Sequence, residues 1–280
     1  MPIKDVLLPL VGDPDAAAIA AIDKCMAVAG DIGTQVTAMA VEQDISVRPK
    51  VTISADLENT AAAEGVRSVS DAQGLLKAFD AAANRFGVRN EQKLSRLSAA
   101  EIPAHFWRAA RLKDLSIVPV KSHGGQSEKI VEGLIFESGR PILICPEEFA
   151  ADLAVAFDKV VIAWDHTAPA ARAVADALPM LQAAASVRIV TATDQETPAE
   201  LESGAAVARH LAEHGIAATF EAVPIGGSSV GKVFEAYVKT KAVDLLIMGA
   251  YRHSRLNEIV WGGMTKTIIA RPPSWVMMSH

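Results

Sequence analysis

Short apolar runs alternate along the chain with longer segments in which apolar residues recur at helical spacing. In the C-terminal half, the runs predict strands near residues 159–164, 186–192, 218–224, 243–249 and 274–278. The segments between them predict helices near residues 168–184, 199–214, 228–240 and 262–270. Runs without polar positions are typical of strands buried on both faces. Strands that alternate with helices predict a parallel, doubly wound sheet with right-handed crossovers.

The N-terminal half repeats this pattern. The run 6–10 and the helical segment 13–29 parallel residues 160–164 and 168–184, and residues 114–118 parallel residues 244–248. Each half then closes with a helix and a strand led by proline. Two divergent copies of one α/β unit are therefore predicted. We place the domains at residues 1–148 and 155–280, and we expect them to pack together because the linker contains no long flexible tract.

The first copy contains an insertion. The offset between equivalent positions is 154 at Val6 and Val160 but 130 at Asp114 and Asp244, so the first copy has about two dozen extra residues between them. We place the insertion at about residues 44–73 and expect a surface loop with a β-like piece at 51–53. Long loops of this kind are commonly functional or mobile.

Composition and charge narrow the class of protein. The chain has 280 residues, a net charge of −6 and 5% aromatic residues, which disfavours a dedicated nucleic-acid binder. No apolar stretch approaches the roughly 20 residues that span a bilayer, and no signal peptide is evident. Cys25 and Cys145 belong to no C-x-x-C pattern and are interpreted as buried thiols. We expect a cytoplasmic protein that has no membrane or nucleic-acid partner.

Candidate chemistry is concentrated at residues 243–267. An apolar run there ends at Gly249, which we expect to let the chain leave the strand tightly. A polar loop is predicted over 251–257, and Gly262 and Gly263 precede a helical pattern. Free N–H groups at a helix start favour anions, and glycines allow a phosphate to approach them. This stretch therefore predicts a phosphate-binding turn.

The spacing resembles the nucleotide-binding signature of the universal stress proteins, G-x2-G-x9-G-[S/T] after a strand of the form D-L-I-V-M-G. Residues 244–249 match the strand and the first glycine, and Gly262 matches the third. Gly263 stands where Ser or Thr is usual, and Arg252 stands at the second glycine. The resemblance implies two five-stranded, adenine nucleotide alpha hydrolase-like domains. It also implies pairing through the fifth strand's edge, which a tandem chain can make internally as a pseudo-dimer; a homodimer stays open.

The resemblance further implies a site for ATP or a related adenine nucleotide, with Mg²⁺ as the only accompanying metal. Asp165 stands where a strand-one aspartate contacts nucleotide in members that bind ATP. The implied site residues are Asp165, Gly249, Arg252, His253, Gly262, Gly263 and Thr265. Arg252 either obstructs the turn, because its Cβ disfavours positive φ, or binds phosphate through its guanidinium. Trp164 flanks the expected pocket, but we favour core packing for it.

The first copy departs from the signature. Val11 matches Asp165, Pro119 matches Gly249 and Ser122 matches Arg252, while Glu132 and Gly133 match Gly262 and Gly263. A carboxylate at the phosphate position would repel the ligand. We therefore expect that the first copy has lost its pocket.

No motif for catalysis is present, neither a G-x-S-x-G elbow nor a Walker-type loop. His210 and His214 are four residues apart on a helix but lack a third metal ligand. The leading hypothesis is a non-catalytic stress-response protein with a nucleotide pocket in the C-terminal domain only. The alternative is an interaction protein of the same fold, in which neither copy binds nucleotide and protein partners contact surfaces such as residues 44–73. One continuous sheet, or an Asp165 directed away from the Gly249–Gly263 turn, would contradict this account.

Overall fold

The computed structural model describes residues 2–45, 55–121, 125–195, 197–250, 252–255, 258–261 and 263–280. In this part of the chain, two units of strands and helices follow each other. The first unit comprises β1 (Asp5–Leu10), α1 (Ala16–Ile32), β2 (Gln35–Gln43), α2 (Ala55–Phe86), β3 (Arg89–Leu97), α3 (Ile102–Ala110), β4 (Leu115–Val120), α4 (Gly125–Glu137) and β5 (Ile142–Pro146). No helix among the described residues is long and apolar enough to cross a membrane.

A short 3-10 helix (Glu147–Asp152) leads into the second unit. This unit comprises β6 (Lys159–Ala163), α5 (Ala168–Ala183), β7 (Ser186–Ala192), α6 (Pro198–Glu213), β8 (Ala218–Val223), α7 (Val230–Lys241), β9 (Leu245–Gly249), β10 (Arg252–Arg255), β11 (Glu258–Trp261), α8 (Gly263–Ala270) and β12 (Trp275–Ser279). Its main strands and helices begin and end within two residues of the predicted limits.

Ten of the described strands form one sheet, in the order β3-β2-β1-β4-β5-β12-β9-β6-β7-β8. Neighbouring strands within each unit run parallel. The fifth strands of the two units, β5 and β12, pair antiparallel, with Leu143 opposite Met277. The predicted arrangement of two five-stranded, doubly wound units packed as a pseudo-dimer is confirmed.

We expected one continuous sheet to contradict a duplication, and this expectation is wrong. The sheet consists of two complete copies with the same strand order, which meet at the antiparallel β5–β12 pair. The domain limits 1–148 and 155–280 stay a prediction, because the sheet runs through both units.

Two equivalent aspartates make the same kind of hydrogen bond in the two copies. Asp114 precedes β4, and its Oδ2 accepts hydrogen bonds from the backbone N–H groups of Lys4 (2.9 Å) and Asp5 (3.0 Å). Asp244 precedes β9, and its Oδ2 accepts from the N–H of Lys159 (2.8 Å). Each carboxylate therefore joins the fourth strand of its unit to the start of the first, as expected of two copies of one unit.

Helices cover both faces of the sheet. Helices α1, α2, α5 and α6 pack on one face, and α3, α4, α7 and α8 pack on the other. Successive strand residues point to opposite faces, so that Ile247 lies in the first core and Met248 in the second. Both β5 and β12 are buried along their whole length, which explains why they read as unbroken apolar runs.

The insertion is largely helical. Residues 55–73 form the first part of α2, a helix of 32 residues, so the predicted surface loop is wrong for them. From Ala72 onward the helix buries one face, through Ala72, Leu75, Phe79, Ala82 and Ala83. Before Ala72 its described residues are more exposed, and the apolar periodicity that would predict a helix is absent there. The predicted β-like piece at 51–53 lies outside the described residues.

The predicted loop over 251–257 is wrong for residues 252–255, and its other residues lie outside the described part of the chain. Strands β10 and β11 pair antiparallel as a hairpin, with Arg252 opposite Trp261 and His253 opposite Val260. The hairpin separates the end of β9 from the start of α8.

The two cysteines are buried free thiols in one core. Burial first, and the neighbouring Cys145 thiol second, raise the pKa of the Cys25 thiol well above its usual range. A raised pKa disfavours the reactive thiolate of Cys25, and the burial of both residues agrees with their interpretation as core thiols.

Candidate functional site

A cavity of about 420 Å³ lies at the carboxyl ends of β6, β7 and β9. The first turns of α7 and α8 complete its wall. Its apolar surface includes Val230, Phe234, Met248 and Met264. Ligands of doubly wound sheets bind at this end of the strands, where the strand order reverses.

Four of the seven predicted site residues line this one cavity. They are Asp165, Gly249, Gly263 and Thr265. Asp165 therefore lines the same cavity as Gly249 and Gly263, while the role of these residues in binding stays a prediction. Arg252 and His253 belong to β10, but their side chains lie outside the described part of the structure, as does Gly262.

The start of α5 holds Asp165 in place. Its Oδ1 accepts hydrogen bonds from the backbone N–H of Thr167 (3.1 Å) and from the Thr167 hydroxyl (2.6 Å). Thr167 in turn caps α5 by accepting the N–H of Ala170 at 3.3 Å. Between them, His166 adopts a φ of 63°, a conformation that costs a non-glycine residue about 1 kcal/mol or more. One carboxylate oxygen is thus engaged in shaping the loop.

Gly249 is required by packing. A Cβ at this position would lie 2.5 Å from the backbone N of Ala170 and 2.7 Å from the backbone C of Pro169. The φ of Gly249 is not in the left-handed region that favours glycine. The predicted reason, a tight exit from the strand, is therefore wrong. The close approach of α5 to the end of β9 replaces it.

The start of α8 forms the part of the cavity that is suited to an anion. Gly263, Met264 and Thr265 make up its first turn and all line the cavity. The first N–H groups of a helix have no acceptor within the helix and carry partial positive charge. A Cβ on Gly263 would meet no atom within 4 Å, so the space in front of this turn is open.

Aromatic side chains line another part of the cavity. The rings of Trp164 and His166 lie 6.0 Å apart at an interplanar angle of 37°, and Phe234 also faces the cavity. Trp164 is half-buried, and its Nε1 donates to the Ser203 hydroxyl at 2.9 Å. Trp164 also packs against the core on this face of the sheet, so the expectation of core packing is confirmed in part, and the rest of the side chain lines the cavity. A half-buried aromatic surface suits a flat ring.

Several wall residues were missed by the sequence reasoning. Thr191 is the penultimate residue of β7, Ser229 caps α7, and Val230 is the first residue of that helix. Only their position after a strand could have identified them from the sequence, because each lies at the carboxyl end of the sheet.

His210 and His214, the weaker candidates for a metal site, have ring centroids 5.0 Å apart. In the described part of the chain, no group of three His, Cys, Asp or Glu residues is placed to hold a metal.

The first unit also has a cavity, of about 270 Å³, but its lining includes none of Pro119, Glu132 and Gly133, so the loss of the nucleotide pocket in this copy stays a prediction. Val11 lines this cavity at the position that matches Asp165.

The predicted correspondence of Glu132 and Gly133 with Gly262 and Gly263 is wrong. The offset between the copies grows from 130 at β4 and β9 to 134 at β5 and β12, because the second copy contains the β10–β11 hairpin.

Glu132 and Gly133 consequently lie in the middle of α4 and not at a helix start. A Cβ on Gly133 would lie 2.5 Å from the Trp107 ring, so this glycine serves helix packing. Repulsion between Glu132 and a phosphate thus gives no reason for the first unit to lack a ligand.

Comparison of the sequence with known proteins gives no match among protein-family models and none among curated proteins. Comparison of the structure with solved structures does find similar chains. A universal stress protein from Archaeoglobus fulgidus DSM 4304 aligns over 100% of this chain and 99% of its own, with 14% identity and a TM-score of 0.68. A putative universal stress protein from Pseudomonas aeruginosa UCBPP-PA14 aligns over 99% and 93%, with 12% identity and a TM-score of 0.56.

The cytoplasmic domain of a prokaryotic cation chloride cotransporter is similar to nearly the same extent. It aligns over 99% of this chain and 96% of its own, with 12% identity and a TM-score of 0.52. At these identities the likeness concerns the fold alone. Across its whole length, the chain has the fold of the universal stress proteins, with two copies of the unit joined in one sheet.

Proposed function

We propose that this protein is a tandem universal stress protein of the cytoplasm that binds ATP or a related adenine nucleotide in its C-terminal cavity. One observation carries the proposal. Asp165, Gly249, Gly263 and Thr265 come from three separate segments of the chain and line one cavity at the carboxyl ends of the strands. These are the positions at which the resemblance to the family implies nucleotide contacts.

The distribution of groups in the cavity supports such a ligand. The first turn of α8 offers N–H groups and an open approach at Gly263, which suits a phosphate. Trp164 and Phe234 offer surface to a flat ring, and the carboxylate of Asp165 can accept hydrogen bonds from the N–H or hydroxyl groups of a base or sugar. A ligand with a ring, a sugar and a phosphate uses all three.

We propose a binding role without catalysis, because the polar groups of the wall are engaged in structural hydrogen bonds. The Thr191 hydroxyl donates to the carbonyl of Trp164 at 2.8 Å, and the Ser229 hydroxyl accepts the N–H of Lys232 at 3.4 Å. Asp165 is engaged with Thr167. These hydrogen bonds stabilise the cavity wall, and we assign none of these side chains the role of a nucleophile.

Calorimetric titration of the full chain with ATP, ADP and AMP, with and without Mg²⁺, tests the proposal. Asp165→Asn keeps the acceptor for Thr167 but removes the charge, and we expect it to weaken binding about tenfold or more. Gly263→Val fills the open space before α8, and we expect it to abolish binding without loss of stability. Asp31→Asn and Gly65→Val change an exposed carboxylate and an open helix glycine in the first unit, and they serve as matched controls.

Absence of binding at millimolar nucleotide would overturn the proposal and favour the interaction protein. Equal weakening by the control variants would do the same. Nucleotide hydrolysis above a protein-free blank, lost in Asp165→Asn, would overturn the non-catalytic role.

A further inference from the structure

The cavity of the first unit has walls of a different chemical character from those of the second. It lies at the carboxyl ends of β1 and β2, and α2 forms one side of it. Leu10, Val11, Leu75 and Ile102 give it an apolar floor. Its volume of about 270 Å³ is close to the range of sites that take small molecules.

Charged groups surround this apolar floor. Asp13 follows β1, and α2 contributes Glu64, Arg67 and Asp71. Arg67 lies 3.1 Å from the Asp13 carboxylate and 3.6 Å from that of Asp71. Among the described lining residues, one guanidinium thus stands beside three carboxylates and contacts two of them, so negative charge is in excess there.

The excess of negative charge affects the pKa of the Asp71 carboxyl. Burial first, and the nearby Asp13 carboxylate second, raise the pKa of Asp71, while Arg67 acts in the opposite direction. The side chain of Asp71 is 21% exposed, whereas that of Arg67 is 69% exposed and largely hydrated. A further positive charge inside the cavity would therefore be favourable.

We infer that the cavity of the first unit binds a small aliphatic amine as its ammonium ion, with the nitrogen among Asp13, Glu64 and Asp71 and the hydrocarbon part on the apolar floor. Charge-assisted hydrogen bonds from an ammonium group satisfy the carboxylates. Burial of the methylene groups contributes about 0.8 kcal/mol each. The site is independent of the nucleotide cavity in the second unit.

Other ligand classes fit less well. A divalent metal needs oxygen ligands on most sides, and here the floor is apolar. The described residues also contain no group of three His, Cys, Asp or Glu placed for a metal. Among the described lining residues, a phosphate would meet the carboxylates of Asp13, Glu64 and Asp71 and one cation, Arg67.

Calorimetric titration of the full chain with 1-aminobutane and 1,4-diaminobutane tests the inference, and 1-butanol provides an uncharged probe of the same length. We expect saturable binding of one amine per chain and no binding of the alcohol. Asp71→Asn removes a carboxylate of the site, so we expect about tenfold weaker binding or more. Arg67→Gln removes the competing cation, so we expect binding several-fold tighter than in the unmodified protein. Asp31→Asn removes an exposed charge outside the cavity, and we expect it to change nothing.

Three results would overturn the inference. Amine binding that is unchanged in Asp71→Asn would remove the carboxylates from the site. Loss of binding in Arg67→Gln would show that the guanidinium holds the ligand, as it would an anion. Binding of several amines per chain, reduced equally by Asp31→Asn, would show attraction to the net negative surface only. Nucleotide titration of the same variants tests the proposed function separately, because the two cavities share no lining residue.

Discussion

Gly249 offers a test of whether a motif glycine serves the ligand or the fold. A methyl group at this position would lie 2.5 Å from the N of Ala170, 2.7 Å from the C of Pro169 and 2.9 Å from the Cβ of Pro169. The two closest atoms belong to the backbone, so no side-chain rotation relieves the contact. Gly249→Ala therefore forces the first turn of α5 away from the end of β9.

The magnitude follows from two opposing contributions. Insertion of a methyl group into a packed contact costs about 1–3 kcal/mol. The loss of backbone freedom in the unfolded chain returns about 0.4–1 kcal/mol when glycine is replaced by alanine. We expect Gly249→Ala to lower the free energy of unfolding by about 1–2 kcal/mol. Because Asp165 is held by the start of α5, we also expect weaker nucleotide binding.

Gly263→Ala is the matched control. It changes the other motif glycine described by the structure, and its new Cβ would meet no atom within 4 Å. We expect its stability to equal or slightly exceed that of the unmodified protein. Urea denaturation followed by circular dichroism measures both variants, and an unchanged m-value shows that the change lies in stability. If Gly249→Ala proves as stable as Gly263→Ala, the packing explanation of Gly249 is refuted.

Two further variants test other parts of the molecule. Burial first, and the Asp15 carboxylate second, raise the pKa of Glu147 from 4.5 to about 7, whereas Lys121 acts to lower it. The unfolded chain therefore releases this proton first, so stability falls as the pH rises from 4.5 to about 7. Glu147→Gln should remove that part of the fall in denaturation midpoints, and an identical pH dependence in both proteins would contradict the assignment. Trp275 is fully buried and donates from Nε1 to the carbonyl of Ala154 at 3.0 Å. Trp275→Ala should cost about 3–5 kcal/mol of unfolding free energy, and a loss below about 1 kcal/mol would argue against its role in attaching the linker to the sheet.

Much of the fold is legible in the sequence because the central strands are buried on both faces. Strand β9 and its counterpart β4 each form a short apolar run preceded by aspartate, and this pattern locates both copies. Asp114 and Asp244 can be paired from the sequence, and the structure shows why they correspond, since each binds the start of the first strand in its unit. Burial thus leaves a clear pattern of residues wherever a strand lies at the centre of the sheet.

The elements that the sequence did not predict lie where few side chains are buried or where only one face of the element is buried. In the part of α2 whose side chains are described, residues 63–71 are half-buried or exposed and the buried residues begin at Ala72, so residues 63–71 show little apolar periodicity. The β10–β11 hairpin contains Arg252, His253 and other polar residues without the alternation of a half-buried strand. Because the hairpin lengthens only the second copy, its presence also shifted the expected counterparts of Gly262 and Gly263. Residues of the two copies cannot be matched by a fixed difference in residue number once a hairpin is present in only one copy.

In the candidate site, the residues that stand at strand and helix ends could be predicted, but their roles could not. Asp165 and Gly263 lie on one cavity wall, as expected from the position of strand ends in a doubly wound sheet. The role of Gly249 depends on Pro169 and Ala170, which are distant in sequence. Such contacts between distant segments become visible only when the fold is known.

The antiparallel meeting of β5 and β12 has an evolutionary consequence. In a symmetric homodimer, every substitution at the shared edge occurs in both subunits, so each new residue must be compatible with the same substitution in the partner subunit. Here Leu143 faces Met277 and Ile144 faces Val276, and each side can change alone. The covalent connection also holds the edges together at an effective concentration of about millimolar or more, whatever the abundance of the protein. Two copies joined in one chain are therefore free of the demand that one surface recognise itself, and here they differ, since one has a long α2 and the other has a hairpin.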